Sequence, residues 1–454
     1  GAPCRWAMAA LCLVTESQPR SEPDQRLSLR SFWGRLSGEG RWLLSTTAIT
    51  TLGRGMVLPF TIVYLTEVRG VPLDTAGVLM GLIAVAALVV TAPGGALTDR
   101  LGARRVVLTA TLLAVAAPLL LGFGTTVPVF TLAVLVMGVS WGIHWGAWSS
   151  LIASVVEGPA RQQFFGVNFA LVNLGIGLGG VASGLFVDVA RPGTFTTIFV
   201  VDALCMLIPI ALLLGPLRRA GGAVAVPEEA EPASYRALVR TPAVLWLAGL
   251  TFITTFVGYG QMESGFPAFS RQVSEVSTRT LGFAFAANTL AIVLLQFWVL
   301  QRIEGHRRTR VLTLMSVTWV IAWAVLGATG WVPGGLAAIV GVVAFAAIFG
   351  LGETMMQSTI PAMVNDLADD HTRGRANSVN SAAFQLGAIA GPVMAGVVLH
   401  DGHWLLFVAI LVLGCALVAA SAFGIERIVT PAVNGLREEA VQAGAEIPHV
   451  PVHD

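Results

Sequence analysis

Two ionisable residues lie deep inside long apolar stretches of this sequence, where a charge is costly. Arg54 lies near the middle of one stretch, and Glu353 lies in another, within Gly350-Leu351-Gly352-Glu353. A charged side chain at the bilayer centre costs at least about 2.5 kcal/mol, so each should face a cavity or a partner. An arginine keeps its charge, whereas desolvation favours the neutral form of a carboxyl group. Arg54 therefore either binds an anionic substrate group or pairs with a carboxylate, and Glu353 is suited to carry a proton.

A second group of candidates is aromatic and lies between Trp141 and Trp148. Trp141, Trp145 and Trp148 share one face of a helix, because residues three or four apart are neighbours. That face either stacks an aromatic or cationic ligand or is a packing stripe that faces lipid or the protein core, and both interpretations stay open. His144 lies among them, but no metal site is predicted because no second ligand lies at helical spacing.

Further polar side chains interrupt the apolar stretches and are candidates for the same interior. Glu263 follows Tyr259 and Gln261, and it either lines a vestibule or reaches the membrane interface. Asp202 is expected to be a packing carboxylate whose hydrogen bonds are satisfied. Uncharged side chains either bond to groups in a cavity or hold helices together. These uncharged candidates are Asn173, Asn288, Gln296 and Gln385.

The composition excludes most soluble classes of protein. Hydrophobic residues make up 55% of the chain and charged residues only 12%, against roughly 25% in an average soluble domain. No basic stripe with interleaved aromatic residues is present, so nucleic-acid binding is not predicted. The sequence has no lysine, so neither a phosphate-loop ATPase nor Schiff-base chemistry is expected. It also has no Cys-x-x-Cys and no intramembrane hydrolase motif; we expect no metal, no other cofactor and no enzyme.

Membrane helices must position these residues, because apolar runs of roughly 20 residues recur along the chain. The sequence predicts an all-α membrane protein with twelve transmembrane helices, α1 to α12, in two pseudo-symmetric six-helix bundles. The predicted helices are Trp42–Thr66, Thr75–Leu97, Val106–Phe123, Val127–Val155, Phe164–Val189, Thr194–Leu217, Pro242–Phe269, Arg279–Leu300, Val311–Thr329, Pro333–Thr359, Ala376–Leu399 and His403–Phe423.

The helices divide the chain into five predicted parts. The two bundles span 42–217 and 242–424, joined by a linker at 218–241 that is rich in Gly, Ala, Glu and Pro. A disordered tail is expected at 1–41 and a second tail at 425–454. Within the first tail, Trp6–Val14 is either the core of a cleaved signal peptide or precedes a true start near Val14.

The distribution of arginine predicts the orientation in the membrane. Alternate loops are rich in arginine, as at Arg100, Arg104 and Arg105, and we call that side the arginine-rich end. The opposite, arginine-poor end has only Arg69, Arg191, Arg271 and Arg279. Because cytoplasmic loops carry the excess of positive charge, the arginine-rich end and both termini are expected in the cytoplasm.

The two halves of the sequence echo each other at a constant offset. Arg161, Asn168 and Gly175 recur as Arg373, Asn380 and Gly387. Gly138 likewise recurs as Gly350. A degraded copy of the loop after α2 lies at 302–308. Many transporters are built from such parallel repeats, with a site at the interface between them.

The loop between α2 and α3 carries the most specific motif. Its pattern is Gly-x-x-x-Asp-Arg-x-Gly-x-Arg-Arg, formed by Gly95, Asp99, Arg100, Gly102, Arg104 and Arg105. It resembles the signature loop of the major facilitator superfamily of transporters. The resemblance implies that Asp99 lies against the start of α11, near Ala376 to Asn380, and stabilises the outward-open state. Arg100 and Arg104 would complete a charge network that breaks on opening inward.

Three features are similar to the bacterial drug/proton antiporters of this superfamily: Arg54-Gly55 with Pro59, the intact signature loop, and Gly352-Glu353 followed by Pro361. The proline of that branch's α5 signature is absent from Gly175–Gly180. The resemblance implies a monomer in the bacterial cytoplasmic membrane that exports drug-like or hydrophobic compounds by alternating access. Protons would bind at Glu353 and be sensed by Arg54. Uptake or uniport of a small metabolite is the alternative, and a receptor or intramembrane enzyme is a remote one.

Overall fold

The protein is an assembly of long helices. A computed structural model describes residues 29–156, 160–221, 241–303, 305–367 and 373–436. Twelve of its helices are long and apolar enough to cross a membrane, and the described residues contain no strand. The prediction of an all-α membrane protein with twelve transmembrane helices is confirmed.

Nine of the twelve membrane helices are single segments, and three are interrupted. The interrupted helices are α1 (Gly38–Val57, Thr61–Val63 and Tyr64–Val68), α6 (Pro192–Cys205 and Leu207–Leu214) and α7 (Pro242–Val257, Gln261–Gly265 and Phe266–Gln272). The others are α2 (Leu73–Leu101), α3 (Ala103–Phe123), α4 (Val127–Val155), α5 (Ala160–Phe186), α8 (Thr278–Ile303), α9 (Arg308–Thr329), α10 (Leu336–Leu367), α11 (Arg373–His400) and α12 (Trp404–Glu426).

The helices pack as two bundles of six. In the first, α1 packs on α5 and α6, and α4 packs on α2 and α3; in the second, α7 packs on α11 and α12, and α10 on α8 and α9. The bundles meet mainly through two helix pairs, α2 with α11 and α5 with α8, and less extensively between α1 and α7. Most of the predicted linker, residues 222–240, lies outside the described residues, so the predicted domain limits stay a prediction.

Equivalent glycines of the two halves make equivalent contacts. A Cβ on Gly138 of α4 would lie 2.2 Å from the carbonyl oxygen of Ile83 in α2, and one on Gly350 of α10 would lie 2.8 Å from that of Asn288 in α8. The same holds for Gly175 of α5 against α1 and Gly387 of α11 against α7. Because small residues let helix backbones approach closely, the repeat seen in the sequence is a repeat of packing.

The bundles touch at the arginine-poor end and separate at the other. Gly184 of α5 lies against Gly282 of α8, and Gly77 of α2 lies against Gly396 of α11. A Cβ on Gly184 or on Gly77 would lie less than 3 Å from the Cα of the facing glycine. At the arginine-rich end, a Cβ on Gly95 of α2 would meet nothing within 4 Å, and Asp99 and Arg100 are exposed. The interior is therefore open toward the arginine-rich end.

The signature motif is mostly helical, which corrects the predicted loop. Helix α2 continues to Leu101, so Gly95, Asp99 and Arg100 lie in its last turns. Only Gly102 lies between α2 and α3, with φ at 84°. A left-handed backbone of this kind costs glycine little and other residues more, so the turn depends on Gly102.

The segment directly before α1 is more ordered than expected. Residues Leu29–Arg35 form a short helix, and Phe32 and Leu36 are buried against the first bundle, so disorder over this part of the predicted tail is wrong. The apolar side chains of this segment gain a buried site that the local sequence does not reveal. The Ser37 hydroxyl accepts from the Gly40 amide and donates to the Val155 carbonyl. Residues 1–28, including Trp6–Val14, lie outside the described residues.

Candidate functional site

Arg54 lies in the middle of α1 and stacks on Trp141 of α4. Its guanidinium carbon lies 4.1 Å from the centre of the indole ring, a cation–π contact. Within the described parts of the chain, its side chain enters no ion pair, and the buried Nε has no hydrogen-bond partner. His144, Asp202 and Glu263 lie close enough to interact with it electrostatically. The guanidinium is thus a half-buried cation without a contacting counterion.

Asp202 lies in the contact between α6 and α1. Gly53 of α1 leaves it room, since a Cβ there would lie 2.6 Å from the Asp202 Cα and 2.8 Å from its Oδ1. The carboxylate is buried, and Oδ1 has no hydrogen-bond partner among the described residues. The position is that of a carboxylate enclosed by helix packing, but Oδ1 lacks the hydrogen bond that was expected of it within the part of the chain that the structure describes.

Glu353 lies at the centre of a polar cluster formed by α7, α8 and α10. The Tyr259 hydroxyl donates to its Oε1 at 2.6 Å, and the Asn288 amide donates to its Oε2 at 3.5 Å. The Gln357 amide in turn donates to the Tyr259 hydroxyl. The structure brings together three residues that the sequence predicted separately, and adds Gln357, which sequence reasoning missed.

Local backbone features place this cluster. Helix α7 is interrupted at 258–260, directly at Tyr259, and resumes as a π-helical turn at Gln261–Gly265. On α10, a Cβ on Gly352 would lie 2.3 Å from the Trp319 Nε1, so this glycine lets the indole pack beside Glu353. The Gly-Glu step of the sequence is therefore a packing requirement as well as a motif.

Arg54 and Glu353 do not contact each other, although the sequence predicted them as one coupling unit. Glu353 bonds to neutral groups of its own bundle, whereas Glu263, in the π-helical turn of α7, is the carboxylate of the second bundle within electrostatic reach of Arg54. The interior thus holds two polar centres, and direct contact between Arg54 and Glu353 is absent from this conformation.

The aromatic residues of α4 differ in their surroundings, since some make ring contacts and Trp145 is exposed. His144 stacks on Trp148, with ring centres 5.3 Å apart, and Trp141 is covered by Arg54. Trp145 is 80% exposed. In the described parts of the chain, no group of three metal-ligating side chains comes together, so His144 remains an aromatic partner.

The uncharged candidates have different surroundings. The Asn173 amide donates to the Phe169 carbonyl of its own helix, and Gln385 is half-buried in α11. Two further bonds, which sequence reasoning missed, repeat between the bundles. The Thr47 hydroxyl donates to Asn168 at 3.1 Å, and the Thr251 hydroxyl to Asn380 at 2.5 Å. The recurrence of Asn168 as Asn380 is the sequence signal that could have found them.

The charged residues of the signature motif act separately in this conformation. Asp99 makes no ion pair or hydrogen bond with the described residues, because the bundles are apart at this end. The Arg104 Nε donates to the Leu213 carbonyl at the end of α6 at 2.8 Å, and Arg105 is exposed. The contact of Asp99 with the start of α11 stays a prediction for the other conformation.

The fold and sequence agree with those of known membrane transporters. The family model of the Major Facilitator Superfamily matches residues 43–349 and 326–451. The quinolone resistance protein NorA of Staphylococcus aureus is 23% identical over 78% of this chain and 87% of its own length. The MFS-type transporter YdeE of Escherichia coli is 21% identical over 79% of this chain and 88% of its own. A POT family transporter crystallised with 5-aminolevulinic acid has a TM-score of 0.70 at 13% identity, over 87% of this chain and 96% of that one. The chain belongs to the major facilitator superfamily of membrane transporters.

Proposed function

We propose that this transporter exports small hydrophobic or drug-like molecules from the bacterial cytoplasm in exchange for protons. The observation that carries the proposal is the Glu353 cluster, a carboxyl group enclosed in the membrane interior by Tyr259 and Asn288. The similarity to NorA, a quinolone resistance protein, supports export of such compounds.

The orientation follows from charge. The arginine-rich end faces the cytoplasm, because cytoplasmic loops carry the excess of arginine, and both termini then lie on that side. In this orientation the interior is open to the cytoplasm and closed by the α2–α11 and α5–α8 contacts at the outer face. Export requires the reverse conformation, in which Asp99 approaches the start of α11.

Glu353 is suited to carry the proton because no cationic side chain of the described residues pairs with it. Its partners are a phenol and an amide, which are neutral. An uncompensated carboxylate in a medium of low dielectric constant is costly, so proton uptake accompanies enclosure of the site and release accompanies its hydration. Tyr259 links this event to the interrupted part of α7, which is where the helix can bend.

The test uses everted membrane vesicles with an acidic interior, whose pH gradient is followed with a fluorescent amine. Norfloxacin, a quinolone, and ethidium serve as probes. Addition of a transported probe should dissipate the gradient in wild-type vesicles and not in Glu353→Gln vesicles. Glu275→Gln, a change at an exposed glutamate outside the cluster, is the matched control and should behave as wild type. Wild-type proton flux in Glu353→Gln would overturn the coupling role, and proton movement in the same direction as the probe would overturn export.

A further inference from the structure

Helix α4 turns its aromatic face away from its neighbours in the first bundle. Gly138 and Gly142 place their side of α4 against α2. The Ser140 hydroxyl donates to the Ala110 carbonyl and marks the side that faces α3. Trp141 lies on neither side and is covered by Arg54 of α1. The face that carries Trp141 is therefore directed across the interior toward α1.

Trp145 extends this face one turn toward the arginine-rich end. It lies on the same side of α4 as Trp141, because residues four apart are neighbours on a helix. Its side chain is 80% exposed, at the level where the two bundles have separated. The Trp145 indole is thus a free aromatic surface one helical turn from the contact between Arg54 and Trp141.

Arg54 provides a cation beside this surface. A guanidinium has five N–H donors in a fixed planar arrangement that matches a carboxylate. None of the five donates to a residue that the structure describes, and Nε is buried without a partner. Asp202 and Glu263 act on Arg54 at a distance and form no ion pair with it. An anionic hydrogen-bond acceptor in contact with Arg54 is therefore absent among the described residues.

We propose that Arg54 and Trp145 form a binding subsite for a planar aromatic acid. The inference rests on the proposed transport function and names a substrate class for it. The ring system stacks on the Trp145 indole, and the carboxylate accepts two N–H bonds from Arg54, which already stands on Trp141. One helical turn separates Trp141 from Trp145, a rise of about 6 Å, which is the span of a fused aromatic ring with a carboxylate at its edge.

The test measures binding to the purified full-length protein in detergent, and therefore does not depend on proton coupling. Three probes are compared by isothermal titration calorimetry: anthracene-9-carboxylate, 9-(aminomethyl)anthracene and cyclohexanecarboxylate. The aromatic acid should bind at least about tenfold more tightly than either of the others, since each lacks one of the two interactions. Equal or tighter binding of the amine or of the non-aromatic acid would overturn the proposal.

Variants assign the binding to the two residues. Trp145→Ala should weaken binding of the aromatic acid about five- to tenfold, and Trp145→Phe should retain most of it. Arg54→Gln should abolish the preference for the acid over the amine. Trp331→Ala removes another exposed tryptophan, 67% exposed at the arginine-poor end, and should leave binding unchanged. Equal losses in Trp145→Ala and Trp331→Ala would contradict the subsite. If the purified protein binds the aromatic acid selectively but the vesicle assay shows no probe-driven proton flux, the coupling role of Glu353 is overturned and the subsite stands.

Discussion

Glu67 and Arg271 form an ion pair that joins the two bundles at the arginine-poor end. The Arg271 Nε donates to the Glu67 Oε1 at 2.9 Å and its Nη2 donates to Oε2 at 2.5 Å. Nη1 donates to the Val276 carbonyl at 2.5 Å, which fixes the orientation of the guanidinium. Of the ion pairs formed within the described residues, this one alone links the first bundle to the second. It therefore stabilises the conformation in which this end is closed.

Removal of this ion pair should shift the protein toward the opposite conformation. Because the pair is two-pronged and largely buried, we expect Glu67→Gln or Arg271→Gln to cost the closed arginine-poor end about 1 kcal/mol. That corresponds to roughly a fivefold change in population. Spin labels at Val127→Cys and Leu336→Cys, on opposite bundles at this end, should report a larger share of long distances in a background without native cysteines.

The exchange of the two charges is the control for this prediction. Glu67→Arg combined with Arg271→Glu restores an ion pair and should return the distances toward wild type. A distance distribution that the single variants leave unchanged would show that helix packing alone holds this end closed.

The close helix crossings make a second prediction. Gly282 of α8 lies against Gly184 of α5, where a Cβ would approach the Gly184 Cα to 2.7 Å and the Gly180 carbonyl oxygen to 2.6 Å. These are backbone atoms that cannot move aside, so Gly282→Val should disfavour closure by about 1–3 kcal/mol. The same spin-label pair should show the arginine-poor end open, with transport lost.

Gly249→Val is the matched control for the crossing. A Cβ at Gly249 of α7 meets nothing within 4 Å, so this substitution should leave both the distances and transport near wild type. Closure of the arginine-poor end in Gly282→Val would show that the α5–α8 crossing can slide without cost.

The Glu353 cluster predicts a non-additive pair of mutations. Tyr259→Phe removes the hydroxyl that donates to Glu353 at 2.6 Å, and under the proposed coupling Glu353 is charged for part of the cycle. Such bonds contribute about 1.5–3 kcal/mol, so we expect at least about a tenfold loss of proton-coupled transport. If the phenol acts through Glu353, the double variant with Glu353→Gln should be no worse than Glu353→Gln alone. Additive losses would instead assign Tyr259 a separate role.

Most of the fold could be predicted from the sequence, because apolar length sets the number of crossings. Helix α4 matches its predicted limits, Val127–Val155, and Pro128 in its first turn marks where it begins. Helix α10 runs to Leu367 and not Thr359, because the helical hydrogen bonds continue after the apolar run ends. Where the apolar run and the helix end at different residues, hydropathy locates only the end of the apolar run.

The candidate site was predictable only in part. Glu353 and Tyr259 were both identified as unusual polar residues in apolar helices, but their contact joins α7 to α10, and spacing along the chain does not report it. The same limit explains the missed pair of Glu67 and Arg271, which lie far apart in sequence. The predicted coupling between Arg54 and Glu353 stays a prediction, because the sequence indicates how deep each residue lies in the membrane and not which helix it faces.

The segments that follow α6 and α12 lead to a last prediction. In the first bundle the Arg104 amide donates to the Gly221 carbonyl at 3.3 Å, and in the second the Arg308 amide donates to the Asn434 carbonyl at 2.9 Å. Asn434 also accepts from the Thr309 amide through its side chain at 3.0 Å, which satisfies a free donor in the first turn of α9. Loss of such a cap costs about 1 kcal/mol, so Asn434→Ala should lower the apparent melting temperature in detergent. Asn434→Asp keeps the accepting oxygen and should retain wild-type stability. Equal melting temperatures for Asn434→Ala and Asn434→Asp would mean that the backbone bond to Arg308, and not the side-chain cap, holds this segment against α9.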